Sequence, residues 1–549
     1  MFSNYYNFIP HLPLPSKDSE PLALELMDGY RHDELVEACR MVKERQGLEI
    51  DPDSIPVDDP LAFQLLRGEC FTYDSKTGSN SYPAVLDRSG IFLLEGMQYA
   101  PLLNRLPPMT VEHVAQIISL SRWAFLEAGV VDEFVDVCHG VRPPYLPDAR
   151  LNPILGETYG FLAYSDQAVQ LSELVGGFSP ETEEDFFEAL KQGNLQRLGD
   201  FQKAWLRSAV DNGFDAEVAG GVWSKIELSC GNAISKDLAT ACAERAMRCA
   251  WMKARYPYEF MAAVLNINTI RGSLNVDYVR SCRRSGIPVL PPDVNMSADD
   301  FLPTDEGILC GLKVVHGLYG SRELISTTRD LGGAFTSPQD FIYKLGSKNW
   351  HVRWALILVK GGAFDFTGVP RRAMVEFIEA SYGSDGSPAA GADLEADWAG
   401  LVAEVADKGF EALEWPILEK LAYEKSVLGD FLSGRPAVAY ESKLSRVPGW
   451  EIDRYLFRGQ SMDRVEVRGW LALAHMAQTS DGAKYSTFEV SDETGSIGCV
   501  LMGDMLPGEI SFVDSVDGSF VVVRGELVCD DFGRFVRVSE IAPIDFNAR

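Results

Sequence analysis

The chain has 549 residues, too many for a single hydrophobic core, and its 46% apolar and 24% charged residues are ordinary for folded domains. A formal net charge of −30 argues against a protein whose whole surface binds nucleic-acid phosphates. The ten cysteines occur singly and without CxxC spacing, which argues against a zinc ribbon or a thioredoxin-type redox site and suits a reducing compartment.

The first 22 residues are rich in proline and aromatic side chains and lack periodicity, which predicts an extended arm that could dock on a partner. They contain neither a basic start nor a long apolar stretch, and no apolar run in the chain has the length of a membrane helix. We therefore expect a cytoplasmic protein that does not contact a membrane. Apolar residues at helical spacing predict a helix over residues 31–46, with Gly47 at its C-terminal end.

The rest of the chain changes from helical periodicity to strand-like alternation. Residues 23–108 contain short mixed elements, residues 109–300 are mainly helical, and residues 301–382 contain short helical pairs. Residues 383–460 form a linker rich in small residues and a helical lead-in. Five alternating segments within residues 461–549 predict a five-stranded OB-type barrel. The predicted fold class is therefore multidomain α+β.

Two segments carry a local positive charge in this acidic chain. Residues 313–365 contain seven Lys or Arg against four Asp or Glu, and residues 244–284 contain eight against three. Clusters of cations are where phosphates bind, although ordinary solvated helix faces have the same composition. If nucleic acid binds, we expect it at these two segments.

Six segments of the chain have counterparts, in the same order, in one family. They are GLEIDPDSIPVDDP, VVDEFVDVCHG with LNPILGETYG, MKARYPYEFMAAVLN, GIPVLPPDVN with GLKVVHGLYGS, LVKGGAFD and VLGDFLSGRP. From about residue 23 onward the chain resembles the C-terminal half of the bacterial DNA polymerase III α subunit, a C-family polymerase. The resemblance implies a fingers region at 109–300, a tandem helix–hairpin–helix module at 301–382 and an OB domain at 461–549. Residues 23–108 would be a remnant of the palm, with the PHP domain and most of the palm absent.

The resemblance also implies that catalytic carboxylates are missing. Polymerases of this family hold Mg²⁺ with aspartates of the palm, because two metal ions activate the primer hydroxyl and stabilise the leaving phosphate. The counterparts of the aspartate pair would precede Met1, and the third carboxylate falls at Glu25. Glu25 is thus the one candidate metal ligand, with a solvated helix residue as the alternative. No cofactor is expected, except Mg²⁺ if the palm lies on another chain.

In the fingers, the family neutralises the incoming triphosphate with basic residues. The resemblance places Phe187 and Glu188 where paired arginines are expected, leaves Lys191 as the nearby cation, and places Asp237 where an imidazole is expected. The acidic run SPETEEDFFE instead predicts a helix N-terminus capped by Ser179. We therefore expect that the chain does not polymerise DNA by itself.

A helix–hairpin–helix motif binds phosphate with backbone N–H groups of a glycine-rich hairpin and of a helix N-terminus. The hairpin HGLYGS supplies Gly317 and Gly320, with Tyr319 where the family usually has glycine. The nearby cations that could add charge contacts are Lys313, Arg322, Lys344, Lys348 and Arg353. The alternative is that the module serves only as a packing unit.

The OB barrel is a second candidate nucleic-acid surface. Aromatic side chains of such barrels stack on bases while cations contact the backbone. The candidates are Tyr485 with Lys484 and Arg534, supported by Phe488, Phe532, Phe535 and Arg537. Membership of the barrel core is the alternative for the aromatic residues.

Three functions follow as hypotheses. The first is a non-catalytic accessory protein of DNA replication or repair that binds DNA and a replication protein, such as a polymerase or a clamp-associated subunit, in a bacterial or phage-infected cell. The second is the fingers and DNA-binding subunit of a split DNA polymerase whose palm is on another chain. The third is a single-stranded-DNA-binding OB protein.

Overall fold

The structure is a computed structural model. It describes residues 32–68, 71–73, 82–84, 87–269, 272, 274–318, 321–346, 348–383, 385–434, 452, 463–478, 484–492, 496–502, 520–530 and 533–544. The chain falls into two compact units that divide between Arg255 and Tyr256, apart from a few residues on either side. Within the described residues, no helix is long and apolar enough to cross a membrane.

The first unit is mainly helical. Its helices are α1 (His32–Gln46), α2 (Pro60–Leu66), α3 (Ala100–Arg105), α4 (Val111–Leu120), α5 (Trp123–Glu127), α6 (Val130–Cys138), α7 (Asn152–Leu155), α8 (Ser165–Leu174), α9 (Pro180–Lys191), α10 (Leu195–Asp211), α11 (Ala216–Ser229) and α12 (Lys236–Arg255). Between α2 and α3 in the chain, β1 (Phe71–Tyr73) pairs antiparallel with β2 (Tyr82–Ala84).

Local sequence explains where two of these helices begin or end. The Ser179 hydroxyl accepts a hydrogen bond from the N–H of Thr182, and Pro180 occupies the first position of α9, where a missing N–H costs no helical bond. Helix α1 ends at Gln46 and is followed by Gly47 with φ +70°, a left-handed conformation that glycine adopts without strain. Both features confirm the sequence predictions.

Helices α9, α10 and α11 share an aromatic core. Trp205 of α10 and Trp223 of α11 are buried, with ring centroids 5.4 Å apart. Phe186 of α9 is fully buried beside them. The Trp205 indole N–H donates to the carbonyl of Ala219, 3.0 Å away, so its polar group is satisfied inside the core. A buried Phe side chain alone stabilises by about 1.5–3 kcal/mol, so this cluster fixes the three helices together.

Helix α12 crosses the first unit and packs against α2 and α4. Its Lys253 side chain is fully buried. The ammonium donates to the carbonyl oxygens of Asp87 and Ser89 at 2.8 and 2.7 Å, and to the Asp87 carboxylate at 3.1 Å. These contacts use all three N–H donors, so Lys253 ties the segment at 87–89 to α12 rather than serving a ligand.

The second unit begins with helices and a small sheet, and continues with a helical module. Helices α13 (Pro257–Ile267) and α14 (Val276–Arg284) precede strands β3 (Val289–Leu290), β4 (Leu302–Pro303) and β5 (Ile308–Leu309), which lie in the order β3-β5-β4. The module contains α15 (Arg322–Gly332), α16 (Pro338–Leu345), α17 (Asn349–Lys360), α18 (Arg371–Ser381), α19 (Leu394–Lys408) and α20 (Ile417–Leu428). One apolar core, with Phe341, Leu358 and Met374 fully buried, joins these helices.

A buried ion cluster lies at the edge of this core. The Arg371 guanidinium, 1% exposed, donates to both oxygens of the Asp365 carboxylate at 2.8 and 2.6 Å, and lies 3.9 Å from the fully buried Glu424. Glu424 also accepts from the backbone N–H groups of Leu432 and Ser433. Burial raises the pKa of Glu424, while Arg371 opposes that shift. The cluster therefore fastens the segment after α20 to the start of α18.

Five strands close into a mixed barrel. They are β6 (Arg464–Gln478), β7 (Lys484–Ser491), β8 (Ser496–Met502), β9 (Phe520–Asp530) and β10 (Gly533–Pro543), in the order β10-β8-β7-β6-β9, with β8 and β10 parallel. The register of β6 against β7 shifts between Ala472 and His475. The barrel confirms the predicted OB-type fold, and the helical remainder confirms the multidomain α+β class.

Candidate nucleic-acid interface

The first hairpin of the module, residues 316–321, is only partly described. Gly317 has φ +94°, so another residue there would be strained by the backbone, and its Cβ would also displace the end of the Ile357 side chain, whose Cδ1 would lie 2.7 Å away. Gly320 and Tyr319 lie outside the described residues. The hydroxyl of Ser321, the residue before α15, donates to the carbonyl of Leu318 at 2.6 Å and does not cap the helix.

Two cations predicted to contact DNA near this hairpin have partners within the protein. The Lys313 ammonium contacts the Asp300 carboxylate at 2.5 Å and the carbonyl of Asn266 at 2.9 Å. The Arg322 guanidinium lies 3.4 Å from the carboxylate of Asp299. Their charges are thus largely compensated, and the charge contribution of the first hairpin is smaller than composition suggested.

Lys344 of α16 has an internal role. Its ammonium lies 3.0 Å from the Asp340 carboxylate and donates to the carbonyl of Ala334 at 2.8 Å. A lysine that binds carbonyls just beyond α15 fixes the turn between α15 and α16. It is therefore poorly placed to bind a phosphate as well.

The second hairpin, residues 346–348 between α16 and α17, carries the uncompensated charge. Gly346 has φ +99°, the left-handed conformation of a glycine that ends a helix. Lys348 and Arg353 are exposed, and neither has a carboxylate partner among the residues that the structure describes. Between them Trp350 is 52% exposed, and the Lys348 ammonium lies 5.4 Å from the centroid of its indole. We call Lys348, Trp350 and Arg353 the second-hairpin surface.

His351 holds the start of α17 in place. Its Nδ1 accepts a hydrogen bond from the backbone N–H of Lys348 at 3.3 Å, and its ring centroid lies 5.1 Å from that of Trp354. Burial lowers the pKa of His351, and the Lys348 charge adds to that effect. The neutral imidazole that this favours is the form that can accept the hydrogen bond.

In the other positive segment, residues 244–284, five of the eight cations have carboxylate partners within the described part of the chain. Besides the fully buried Lys253, four of its arginines lie within ion-pair distance of a carboxylate. The pairs are Arg248–Glu244, Arg255–Asp59, Arg280–Glu489 and Arg283–Asp430. Sequence composition could not reveal these pairs, because most of the carboxylates lie far away in the chain.

The acidic helix of the fingers shows no cation directed at solvent at the predicted nucleotide position. The Lys191 ammonium lies 4.5 Å from the ring centroid of Phe187 and is buried without a hydrogen-bond partner among the described residues. Glu181 and Glu183 occupy the first turn of α9, where their carboxylates interact favourably with the positive end of the helix dipole and would repel a phosphate. Asp237 is exposed in the first turn of α12.

Two of the aromatic residues predicted for base stacking are buried, whereas Phe535 is partly exposed and Phe532 lies outside the described residues. Tyr485 and Phe488 are 6% and 3% exposed, and Phe488 belongs to the apolar core of the barrel. Lys484 lies opposite Gln478 in the β6–β7 register, and Arg534 lies in β10. A cleft of about 590 Å³ on the outer face of β6, β9 and β10 is lined by three arginines and three glutamates, so its charges offset one another.

Glu25 lies outside the described residues, so its role as a metal ligand stays a prediction. Sequence reasoning also missed two exposed aromatic residues, Trp350 and Tyr343, of which Tyr343 of α16 is 77% exposed. The sequence KNWHVRW could have indicated the first, since it places an aromatic residue between two cations in a segment of positive charge.

Comparisons with known proteins identify relatives of two regions. Residues 33–213 match the bacterial DNA polymerase III alpha subunit finger domain, and residues 286–374 match a helix-hairpin-helix motif. The DNA polymerase III subunit alpha of Thermus aquaticus is 30% identical over 485 residues, 86% of this chain and 38% of that protein. Those of Vibrio cholerae and Escherichia coli K12 are 27% and 26% identical, over 90% and 92% of this chain and 42% and 44% of the relatives.

The chain thus spans about two fifths of the length of these curated relatives. Among solved structures, the asparaginyl-tRNA synthetase from Pyrococcus horikoshii covers 18% of this chain at 15% identity, with a TM-score of 0.16 that is too low to indicate a shared fold.

Proposed function

We propose, from the premise that this chain carries the fingers and helix–hairpin–helix regions of the bacterial DNA polymerase III α subunit family, that it is a DNA-binding accessory protein of replication or repair. In this proposal the helix–hairpin–helix module contacts DNA phosphates and the fingers region does not bind a nucleotide for catalysis. The observation that carries the proposal is the second-hairpin surface, where Lys348 and Arg353 are exposed near the start of α17 and no described carboxylate pairs with them.

Three features of the hairpin favour phosphate as the ligand. The N-terminus of α17 carries a partial positive charge, and α17 is twelve residues long. The left-handed Gly346 leaves no side chain between the backbone and an approaching phosphate. The two cations lie just before the helix and in its second turn, so both are near the N-terminus at which a phosphate would bind.

DNA binding is tested by the salt dependence of affinity. Anisotropy of a labelled primed duplex would be measured with the full chain at several salt concentrations. Arg353→Gln and Lys348→Gln should each weaken binding and reduce the slope of log K against log salt by about 1. The matched control is Arg372→Gln in α18, because Arg372 is exposed but paired with Glu376 at 2.8 Å. The proposal fails if the duplex is not bound, or if Arg353→Gln and Arg372→Gln have equal slopes.

The proposed absence of catalysis is supported by the chemistry of α9. A fingers region that binds a triphosphate needs cations at the phosphates, because phosphoryl transfer depends on neutralising that charge. Here the resemblance assigns those positions to Phe187 and Glu188, and Lys191 is packed on the Phe187 ring. We expect no saturable binding of a deoxynucleoside triphosphate in the presence of Mg²⁺. Saturable binding that is lost in Lys191→Gln would favour the split polymerase instead.

A protein partner is part of the proposal, because the fingers-matching segment is strongly acidic. Residues 33–213 contain 29 acidic and 14 basic residues. Such a surface suits a basic replication protein, for example a polymerase or a clamp-associated subunit, in the cytoplasm of a bacterial or phage-infected cell. Native purification should recover a partner that dissociates as salt is raised. Recovery of the chain alone at low salt would remove this part of the proposal.

A further inference from the structure

Two aromatic side chains, one on either side of the second hairpin in the sequence, are exposed to solvent. Tyr343, two residues before the end of α16, is 77% exposed, and Trp350, the second residue of α17, is 52% exposed. Neither belongs to the apolar core of the module or to the residues packed against it. Two large aromatic rings exposed beside one hairpin form a candidate contact surface for a ligand. A ligand with a flat, apolar face would account for both rings.

The cations beside these rings specify what kind of ligand fits. Lys348 lies over the Trp350 indole at 5.4 Å, a distance at which an ammonium is attracted to the ring. Arg353 follows Trp350 by three residues, so the two side chains lie on adjacent parts of one helix face. A ring for stacking and two charges for phosphates are what a protein presents to a nucleotide whose base is unpaired.

A fully paired duplex offers phosphates to this surface but keeps the faces of its bases inside the stack. An unpaired base at a bulge, a frayed end or a strand junction exposes its face and requires little energy to move onto a protein ring. We infer that the second-hairpin surface recognises DNA carrying an unpaired base next to duplex phosphates, with Trp350 as the stacking residue and Tyr343 as a secondary contact. This inference rests on the proposed DNA-binding function and names its preferred substrate.

The test compares three probes with the same duplex sequence. One is fully paired, one has a single bulged adenine, and one has an abasic site in the bulge, which keeps the backbone but removes the base. Wild-type protein should bind the bulged adenine about 5- to 100-fold more tightly than the abasic bulge, the range expected for one stacked base. Trp350→Ala should remove that preference, Trp350→Phe should retain part of it, and Tyr343→Ala should reduce it less.

Several outcomes distinguish a failure of base stacking from a failure of the proposed DNA binding. If Trp350→Ala keeps the preference for the bulged adenine, or wild type shows none, stacking is wrong, while Arg353→Gln still tests phosphate binding on the paired duplex. If Arg353→Gln also leaves affinity unchanged, the proposed function fails as well. If Trp350→Ala alters only co-purification with a protein, the surface binds a protein instead. Because Trp350 is exposed, its substitution should leave the fold intact, and thermal unfolding of the variants checks this.

Discussion

The fingers-matching and hairpin-matching segments of this chain differ strongly in net charge, yet both present exposed cations. Residues 33–213 contain 29 acidic and 14 basic residues, a net charge of −15, whereas residues 286–374 contain nine of each. Exposed cations without a carboxylate partner among the described residues nonetheless occur in both segments, at Lys203 and Arg207 in the acidic one and at Lys348 and Arg353 in the neutral one. Net charge therefore does not locate a phosphate site. What matters is which cations remain after the protein has paired the others.

The interiors of the two regions differ as well. The fingers core around Trp205 is apolar and aromatic, whereas the hairpin module buries the Arg371–Glu424 cluster at its edge. Apolar cores tolerate changes of salt and pH, because burial of apolar area depends little on either. A buried ion cluster depends on each member keeping its partner.

Arg371→Met should destabilise the helical module by about 3–5 kcal/mol, because it leaves the buried Glu424 carboxylate without its guanidinium. The free energy of unfolding from chemical denaturation measures the effect. Combining it with Glu424→Gln should recover part of the loss, since the amide still accepts hydrogen bonds but carries no charge. Equal stability of the single and double variants would contradict a role for charge in this cluster.

Trp205→Ala should cost about 3–5 kcal/mol in the fingers core through the lost apolar burial and the cavity that remains. The matched variant Trp205→Phe should cost less, since it keeps most of the ring and loses the hydrogen bond to Ala219. Denaturation at low and high salt should give the same difference for both variants. A strong salt dependence would show that charged groups contribute to the stability of the fingers core around Trp205.

Lys344→Met should lower stability by about 1.5 kcal/mol, because its ammonium binds the carbonyl of Ala334 and the Asp340 carboxylate. It should leave the salt slope of DNA binding unchanged, in contrast to Arg353→Gln. Denaturation and anisotropy titrations measure the two quantities. If Lys344→Met reduces the slope by about 1, this lysine contacts phosphate after all.

His351 should give the module a small dependence on pH. Burial lowers its pKa, so the folded protein binds a proton less readily than the unfolded chain. The stability that this contributes is present above the unfolded pKa of about 6.5 and is lost as pH falls through the lower folded value. Between about pH 8 and pH 5.5, wild type should therefore lose more stability than His351→Gln, measured by denaturation. A larger loss of stability in His351→Gln than in wild type would contradict the lowered pKa of His351 in the folded protein.

Local chemistry predicted much of the fold. The cap at Ser179 and the five barrel strands follow from residues adjacent in the chain, because caps and strand alternation depend on nearest neighbours. Ion pairs do not. Lys253 reaches Asp87 across 166 positions and Arg283 reaches Asp430 across 147, so sequence could not show that these cations are occupied.

The same limit applies to the candidate interface. Lys348 and Arg353 were among the predicted DNA-binding cations and remain exposed, but Lys313 and Lys344 were in the same group and have partners within the protein. Strand alternation in β7 puts Tyr485 and Phe488 on opposite faces, and only the closed barrel shows that Phe488 lies in its core while Tyr485, outside that core, is buried as well.

The Arg371 cluster also determines how this module could be moved between proteins by recombination or gene fusion. The motif recognised as helix-hairpin-helix ends at residue 374, which includes Arg371 but leaves out Glu424 and the backbone of Leu432 and Ser433 that binds Glu424. A segment transplanted at the motif boundary would carry an interior cation without one of its counter-charges. A transferred segment that keeps the Arg371 cluster intact must therefore extend at least to Ser433.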